Sequence, residues 1–256
     1  MTAPRWWLVA LVVTTGYLAA AWIVVFFFEI YQREPRWCPS FVNFNYYLFF
    51  REGSFTEVLQ YVTLLLSAVM VAGILAHRYQ RGELLSAGWA LLLLGLVLLY
   101  IEDAHNTRHM LTALAGVDRG APLAQAAIEL GYYALLGGVM MGGLWWILQE
   151  ARSPRVGITL FLVAYPTYGA IALASATRHI GEWYRQVGSW LLGHFPERIF
   201  LPGVETAFAL CDPIDAFLFM DGMVEESIEL LAAALLLAAV LVHYEAEKQR
   251  PNEVDK

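Results

Sequence analysis

Residues 6–28 read WWLVALVVTTGYLAAAWIVVFFF, a stretch without a charged side chain that is long enough to cross the apolar part of a bilayer as one helix. Four further charge-free runs have comparable lengths: 58–76, 84–101, 130–148 and 156–177. A sixth run, 230–242, reaches the required length only if it is extended back past three glutamates to Gly222. The sequence therefore predicts about six transmembrane helices, the last of which carries carboxylates inside the membrane.

The composition also indicates a membrane protein. Apolar residues make up 59% of the 256 residues and charged residues 15%, and the mean hydropathy is +0.54. This leaves too little polar surface to cover a soluble domain, so we expect an all-α polytopic helix bundle surrounded by membrane lipid. The net charge of −7 and the lack of a basic run argue against a nucleic-acid partner.

We predict a single domain over residues 1–256, with spans at about 6–29, 56–78, 83–109, 122–149, 156–178 and 214–244. Two segments between spans, 31–54 and 180–212, are rich in Trp, Tyr and Phe, which favour the headgroup region of a membrane. We expect these segments to form interfacial or short re-entrant helices on the outer side. Cys38 and Cys211 fall in them, and both a disulfide and two free thiols are consistent with this placement.

The short connections between spans predict the orientation in the membrane. Arg78 and Arg81 lie between spans two and three, and Arg152 and Arg155 lie between spans four and five. Basic residues in short loops favour the cytoplasmic side, which places both termini in the cytoplasm of a cell with this chain in its inner membrane. The longer outer segments hold as many basic residues, so this prediction depends on the greater weight of short loops.

Ionisable residues gather at the outer ends of the predicted spans. They are Glu29, Glu57, Glu102, Glu129, His179 and the cluster from Asp221 to Glu229. Charge at a helix end is often a solvated boundary, because charge is costly deeper in the membrane. On the last span, however, Glu225, Glu226 and Glu229 lie inside the apolar limit. We expect them to face protein or water and take them as candidate catalytic residues.

The end of span three, residues 102–109, reads EDAHNTRH. If the helix continues through this stretch, Glu102, His105 and His109 share a face. Two histidines four residues apart beside a carboxylate form a spacing that zinc and iron sites use, although a hydrated helix end with intrahelical pairs has the same pattern. The candidate ligands of a divalent metal are Glu102, His105, His109, Glu129, Glu57 and His179.

Three more specific explanations of these residues remain open. A di-metal carboxylate bundle uses two glutamates and two Glu-x-x-His motifs, and the chain has three of the four parts, since residues 226–229 place a glutamate where the last histidine is needed. A b-type haem would lie between His105 or His109 and His179. A structural network of ion pairs with neighbouring arginines needs no cofactor.

Three helix ends resemble motifs of an uncharacterised group of bacterial multi-pass membrane proteins. Residues 51–57 are similar to its R-E-x-G-x-x-E motif, with Glu57 one residue later. Residues 102–103 correspond to the acidic pair of its G-E-E-x-S-x-G-Q-R motif, and residues 225–229 match E-E-x-x-E. The resemblance covers a small part of the chain and implies no activity, but it indicates that the three helix ends belong to one site.

The preferred hypothesis is an integral membrane enzyme. Its outward-facing carboxylate and histidine site, with a divalent metal such as zinc or iron, would act on a lipid-soluble small molecule. One alternative is a cation- or proton-coupled transporter, which would need a polar route to the cytoplasmic side. The other is an accessory subunit of a larger membrane complex, which would dock through the aromatic outer segments.

Overall fold

A computed structural model describes residues 5–26, 44–51, 53–117, 121–150, 153–194, 198–201, 204–207 and 213–250. Within these ranges, six helical stretches are long and apolar enough to cross a membrane: Trp6–Val25, Phe55–Gln80, Ala87–His105, Pro122–Gln149, Arg155–Thr177 and Ala216–Lys248. The predicted all-α bundle is confirmed, and its six spans support a multi-pass membrane protein. Glu29, Cys38, Glu52, Arg152 and Cys211 lie outside the described residues.

The helices follow one another as α1 (Trp6–Val25), α2 (Phe44–Phe50), α3 (Phe55–Gln80), α4 (Ala87–His105), α5 (Thr107–Leu114), α6 (Pro122–Gln149), α7 (Arg155–Thr177), α8 (Trp183–Leu192), α9 (Pro213–Leu218), a π-helix (Phe219–Glu225) and α10 (Glu226–Lys248). Between α8 and α9, strands β1 (Arg198–Leu201) and β2 (Val204–Ala207) pair in antiparallel fashion. This hairpin differs from our prediction, since only short helices were expected in segment 180–212.

Helix α10 forms the centre of the bundle. In the most apolar 18-residue stretch of its span 56% of the residues are buried, against 17% for α1. It packs against α1, α3 and α7, while α4 packs against α3 and α6. Small side chains permit this central position, because close helix packing in a membrane favours them. The buried alanines of α10 are Ala232, Ala233, Ala234, Ala238 and Ala239.

An aromatic cluster supports the π-helix at one end of the bundle. The Trp22 ring of α1 stacks on Phe26 with centroids 5.4 Å apart and meets Phe219 edge-on at 5.7 Å. The Trp22 indole N–H also donates to Ser227 Oγ at 2.8 Å, and the Tyr46 hydroxyl of α2 donates to the Leu218 carbonyl at 3.1 Å. These contacts hold α1 and α2 against the segment that leads into α10.

A buried ion-pair network ties the helices together at the opposite end of the bundle. Arg78 donates to both carboxylate oxygens of Glu150, at 2.9 and 2.7 Å, and lies 3.4 Å from Glu247 of α10. Ser86 Oγ donates to Glu150 at 2.8 Å. Burial alone would raise the pKa of Glu150, but the hydrogen bonds from Arg78 and Ser86 hold it below its ordinary value. The network therefore joins the ends of α3, α6 and α10.

Replacing Glu150 with glutamine is expected to lower the free energy of unfolding by about 2 kcal/mol, because the variant loses a charge-assisted double hydrogen bond to a buried arginine. Since the folded-state pKa of Glu150 is lowered, the advantage of the wild type is complete above pH 4.5 and shrinks as the pH falls further. Thermal unfolding in detergent micelles across this range measures the difference.

Glu83→Gln is the matched control, because Glu83 pairs with Arg81 at 2.9 Å while its side chain is 41% exposed. Exposed pairs contribute about 0.5 kcal/mol or less. Equal losses of stability in the two variants would contradict this account of the network.

Candidate functional site

The end of the bundle at which the π-helix lies contains a polar cavity of about 400 Å³. Its walls come from α2 to α5, the end of α7, the π-helix and the start of α10. Seven of the lining side chains are carboxylates: Glu57, Glu102, Asp103, Asp221, Glu225, Glu226 and Glu229. Arg51, Arg108, Arg178 and His109 also line it. We call this space the carboxylate cavity.

The π-helix brings two of these carboxylates, Asp221 and Glu225, into the cavity wall. Its wider turns are rare and often mark functional sites. Asp221 lies 3.0 Å from Arg178 Nη1, and Glu225 lies 3.9 Å from the same atom. Glu225 also accepts a hydrogen bond from the buried Tyr184 hydroxyl at 2.6 Å. Burial and the charge of Glu225 raise the pKa of Tyr184, so the phenol stays protonated and remains a donor.

Arg108 and Glu102 form a second charged pair in the wall. Glu102 is 3% exposed and accepts from the Arg108 backbone N–H at 3.2 Å, and Arg108 Nε lies 3.6 Å from Glu102 Oε1. Arg108 also donates to the Tyr133 hydroxyl of α6. Burial would lower the pKa of Arg108, but Tyr133 and the nearby glutamates raise it above its ordinary value. The guanidinium therefore stays charged.

His109 joins the cavity to a buried glutamate of α6. Arg178 Nη2 lies 3.0 Å from His109 Nε2, and His109 Nδ1 lies 3.6 Å from Glu129 Oε1. Burial and the charges of Arg108 and Arg178 lower the pKa of His109 to about 4. A neutral imidazole suits this position, because Nε2 accepts from the arginine while Nδ1 carries the proton toward Glu129.

The lowered pKa of His109 predicts acid sensitivity. Between pH 6.5 and about 4 the unfolded chain binds a proton at this histidine that the folded chain does not, so the folded state loses stability as the pH falls through this range. His109→Gln keeps an acceptor for Arg178 but cannot bind the extra proton. We expect its thermal midpoint to fall less steeply than that of the wild type as the pH decreases from 6.5 to about 4. His105→Gln is the control, and an identical slope in all three proteins would refute the assignment.

The predicted shared face of Glu102, His105 and His109 is wrong. Helix α4 ends at His105, because Asn106 adopts a left-handed conformation with φ 50°, and α5 then starts in a new direction. His105 is exposed, at the edge of a different depression. His109 instead turns into the carboxylate cavity.

The other predicted metal ligands are divided between the protein surface, the cavity wall and the space behind His109. His179 is exposed and stacks on Phe217, with ring centroids 5.6 Å apart. Glu129 lies behind His109 and accepts from Gln125 at 2.8 Å, whereas Glu57 lines the cavity and accepts from Gly53 N–H and Tyr61. Among the described residues, no group of three or more His, Cys, Asp and Glu is arranged to hold a metal ion.

The three predicted catalytic glutamates line the carboxylate cavity together with Gln60 and Asp103, which were not among the predicted site residues. Glu225, Glu226 and Glu229 all line the cavity. Gln60 Nε2 of α3 donates to Asp103 Oδ2 at 2.6 Å and to Glu229 Oε2 at 3.3 Å. One amide thus bridges a carboxylate of α4 and a carboxylate of α10. The signal in the sequence was Gln60, an amide side chain about one turn beyond Glu57 in a charge-free, mostly apolar run.

An apolar groove meets the carboxylate cavity at this pair, since Asp103 and Glu229 line both spaces. The groove has a volume of about 210 Å³ and lies among α4, α6, α7 and α10. Its other lining residues are Leu99, Tyr133, Leu136, Gly137, Met140, Met141, Tyr165, Tyr168, Gly169, Ile171, Ala172 and Leu236. Gly169 and Met141 are exposed, the latter by 54%, so the groove opens on the exposed surface of the helix bundle.

Comparisons of the chain with protein-family models, with curated proteins and with solved structures found no match.

Proposed function

We propose that this protein is an integral membrane enzyme that performs acid–base chemistry on a lipid-soluble substrate, with Asp103 and Glu229 as the reacting carboxylates. The observation that carries the proposal is the meeting of the polar cavity and the apolar groove at these two residues. A substrate lying in the groove would bring its polar end to both carboxylates. Concave, mostly apolar sites with a few converging polar groups are typical of small-molecule binding.

The Asp103 and Glu229 pair has the arrangement that general acid–base catalysis needs. Both side chains accept a hydrogen bond from the same Gln60 nitrogen, so their charges lie close together. Two close carboxylates in a partly apolar site favour holding one proton between them, which leaves one acid and one base. Glu225 and Glu226 then belong to the surrounding wall, where Tyr184 and Arg178 hold Glu225 in place.

The proposal needs no metal, and it uses none of the dispersed histidines. A zinc or iron ion in this cavity remains a prediction of the sequence. His109 has a different role in our account: it accepts from Arg178 and thereby positions the arginine that pairs with Asp221.

We further propose that the carboxylate cavity faces away from the cytoplasm of a cell with this chain in its inner membrane, with both termini cytoplasmic. The arginines of the short loops support this, because Arg78 and Arg81 lie at the opposite end of the bundle, where they pair with Glu247. Lys248 and Arg250 follow at the same end of α10.

The packing favours an enzyme over a cation- or proton-coupled carrier. A carrier needs a polar path from the cavity to the opposite end. The described core between the two charged ends is filled by buried apolar side chains, including Leu64, Val71, Leu92, Leu96 and Leu236. An accessory role in a larger complex remains an alternative that the aromatic outer segments suggest.

Mass spectrometry of lipid extracts tests the proposed activity. Purified protein is incubated with a total membrane extract and a soluble cell fraction, and the lipid-soluble species are compared with those from a sample containing Asp103→Asn or Glu229→Gln. We expect the wild type to convert at least one species, Glu83→Gln to convert it equally, and both cavity variants to leave it unchanged. Identical profiles for the wild type and Asp103→Asn would overturn the proposal.

A further inference from the structure

The carboxylate cavity contains more acidic groups than its arginines neutralise. Arg108 pairs with Glu102, and Arg178 pairs with Asp221 and Glu225. Four cavity carboxylates remain, of which Glu57 accepts from Gly53 N–H and Tyr61. In the part of the chain that the structure describes, no lysine or arginine lies within ion-pair distance of the other three, Asp103, Glu226 and Glu229. Carboxylates at membrane depth are costly unless something pairs with them.

Two buried hydrogen-bond acceptors near these carboxylates have no partner, and the same is true of two donors, Arg108 Nε and the Tyr168 hydroxyl. Gln60 Oε1 and Glu226 Oε2 are buried and have no hydrogen-bond partner, and both side chains line the cavity. Gln60 is only 1% exposed, and its amide N–H₂ already serves Asp103 and Glu229. A buried acceptor without a donor costs about 1 to 3 kcal/mol. A positively charged donor among Asp103, Glu226 and Glu229 would pair with these carboxylates and satisfy both acceptors.

We propose that the ligand is a single-chain amphiphile with a positively charged amine head. This inference rests on the proposed function, because it names the class of substrate for the same site. The ammonium group would lie among Asp103, Glu226 and Glu229, and the chain would follow the apolar groove past Gly137. An ammonium group has three donors and no acceptor, which matches three carboxylates that lack a cationic partner.

The charge of the carboxylate cavity and the size of the apolar groove argue against other classes of ligand. An anionic head would add negative charge beside these carboxylates, which like-charge repulsion disfavours. The small groove is suited to one chain, because Gly137 and Gly169 provide its space and a Cβ at either position would have no neighbour within 4 Å. A bulky side chain at position 137 would consequently fill the groove without displacing a helix.

The test compares three probes with the same alkyl chain: dodecylamine, dodecanol and dodecyl sulfate. Binding to the purified full chain in nonionic detergent is measured by thermophoresis, below the micelle-forming concentration of each probe. We expect dodecylamine to bind about tenfold or more tightly than dodecanol, which corresponds to one partly desolvated ion pair, and dodecyl sulfate to bind most weakly. This comparison uses the wild type alone, so it does not depend on whether a variant folds.

Variants then locate the site. Glu226→Gln is expected to weaken dodecylamine about tenfold while leaving dodecanol unchanged, and Gly137→Leu to weaken both. Glu83→Gln is the control and should change neither. Equal affinities for dodecylamine and dodecanol, both sensitive to Gly137→Leu, would overturn the amine head and leave the proposed site standing. Binding that responds to neither Glu226→Gln nor Gly137→Leu would remove the ligand proposal and the proposed function together.

Discussion

Replacing Arg178 with methionine is expected to destabilise the protein by about 3 kcal/mol, because it leaves the buried Glu225 and the partly exposed Asp221 without their cation. The Arg178 side chain is 13% exposed, and its Nη1 atom lies 3.0 Å from Asp221 and 3.9 Å from Glu225. Its Nη2 atom lies 3.0 Å from His109. The loss therefore disturbs α5, α7 and the π-helix at once. Thermal unfolding in detergent micelles at neutral pH measures it.

A second substitution separates the charge effect from lost packing. Adding Asp221→Asn to Arg178→Met removes one uncompensated carboxylate, so the double variant should recover part of the lost stability. Arg185→Met is the control, because the ion pair that Arg185 forms with Glu182 at 3.2 Å is exposed. If Arg178→Met were no more destabilising than Arg185→Met, the arginine would not hold the cavity wall.

Replacing Gly222 with alanine is expected to cost about 3 kcal/mol and to displace the π-helix from α2, since overpacking a tight contact forces the backbone to move. A Cβ at position 222 would lie 2.1 Å from the Tyr46 hydroxyl oxygen and 2.8 Å from the Phe50 carbonyl oxygen. The tyrosine cannot simply rotate away, because its hydroxyl donates to Leu218. The measurement is again the thermal midpoint in detergent micelles.

Gly138→Ala on α6 is the matched control, since a Cβ there would have no neighbour within 4 Å. Alanine has the higher helix propensity, so this control should leave stability unchanged or raise it by less than about 1 kcal/mol. Similar midpoints for Gly222→Ala and Gly138→Ala would show that the contact between α2 and the π-helix is loose.

The bundle could be predicted from the sequence because lipid imposes a simple rule on every span, namely that a helix must stay apolar over the thickness of the bilayer. The same rule identified much of the site. A carboxylate inside an apolar run has to face protein or water, and Glu225, Glu226 and Glu229 do line the cavity.

The fine geometry of the site could not be predicted, because it depends on local backbone choices that no periodicity specifies. Asparagine tolerates the left-handed conformation but does not require it, so the break at Asn106 that takes His109 off the face of α4 is invisible in the sequence. The π-helix shifts the register of Asp221 and Glu225 in the same unpredictable way.

The contacts between helices that build the site could not be predicted from the sequence either. Glu102 and Asp103 are neighbours in the chain and point in different directions on α4, but only the packing shows that Asp103 reaches Gln60. Whether Glu229 also accepts from the Gln60 amide depends on how α3 and α10 are rotated about their axes. A single sequence fixes the apolar face of a helix well only when one side is polar, and these spans are apolar almost all round.

Photo-crosslinking tests the central claim most directly, namely that a lipid-soluble molecule enters the groove and reaches Asp103 and Glu229. An alkyl probe with a diazirine at the end of its chain is activated in the presence of the purified protein, and the labelled peptides are identified by mass spectrometry. Our account predicts adducts at Met140, Tyr165 and Tyr168, and their loss in Gly137→Leu. Labelling confined to outward-facing residues such as Leu65, Val69 and Leu162, and unaffected by Gly137→Leu, would contradict it.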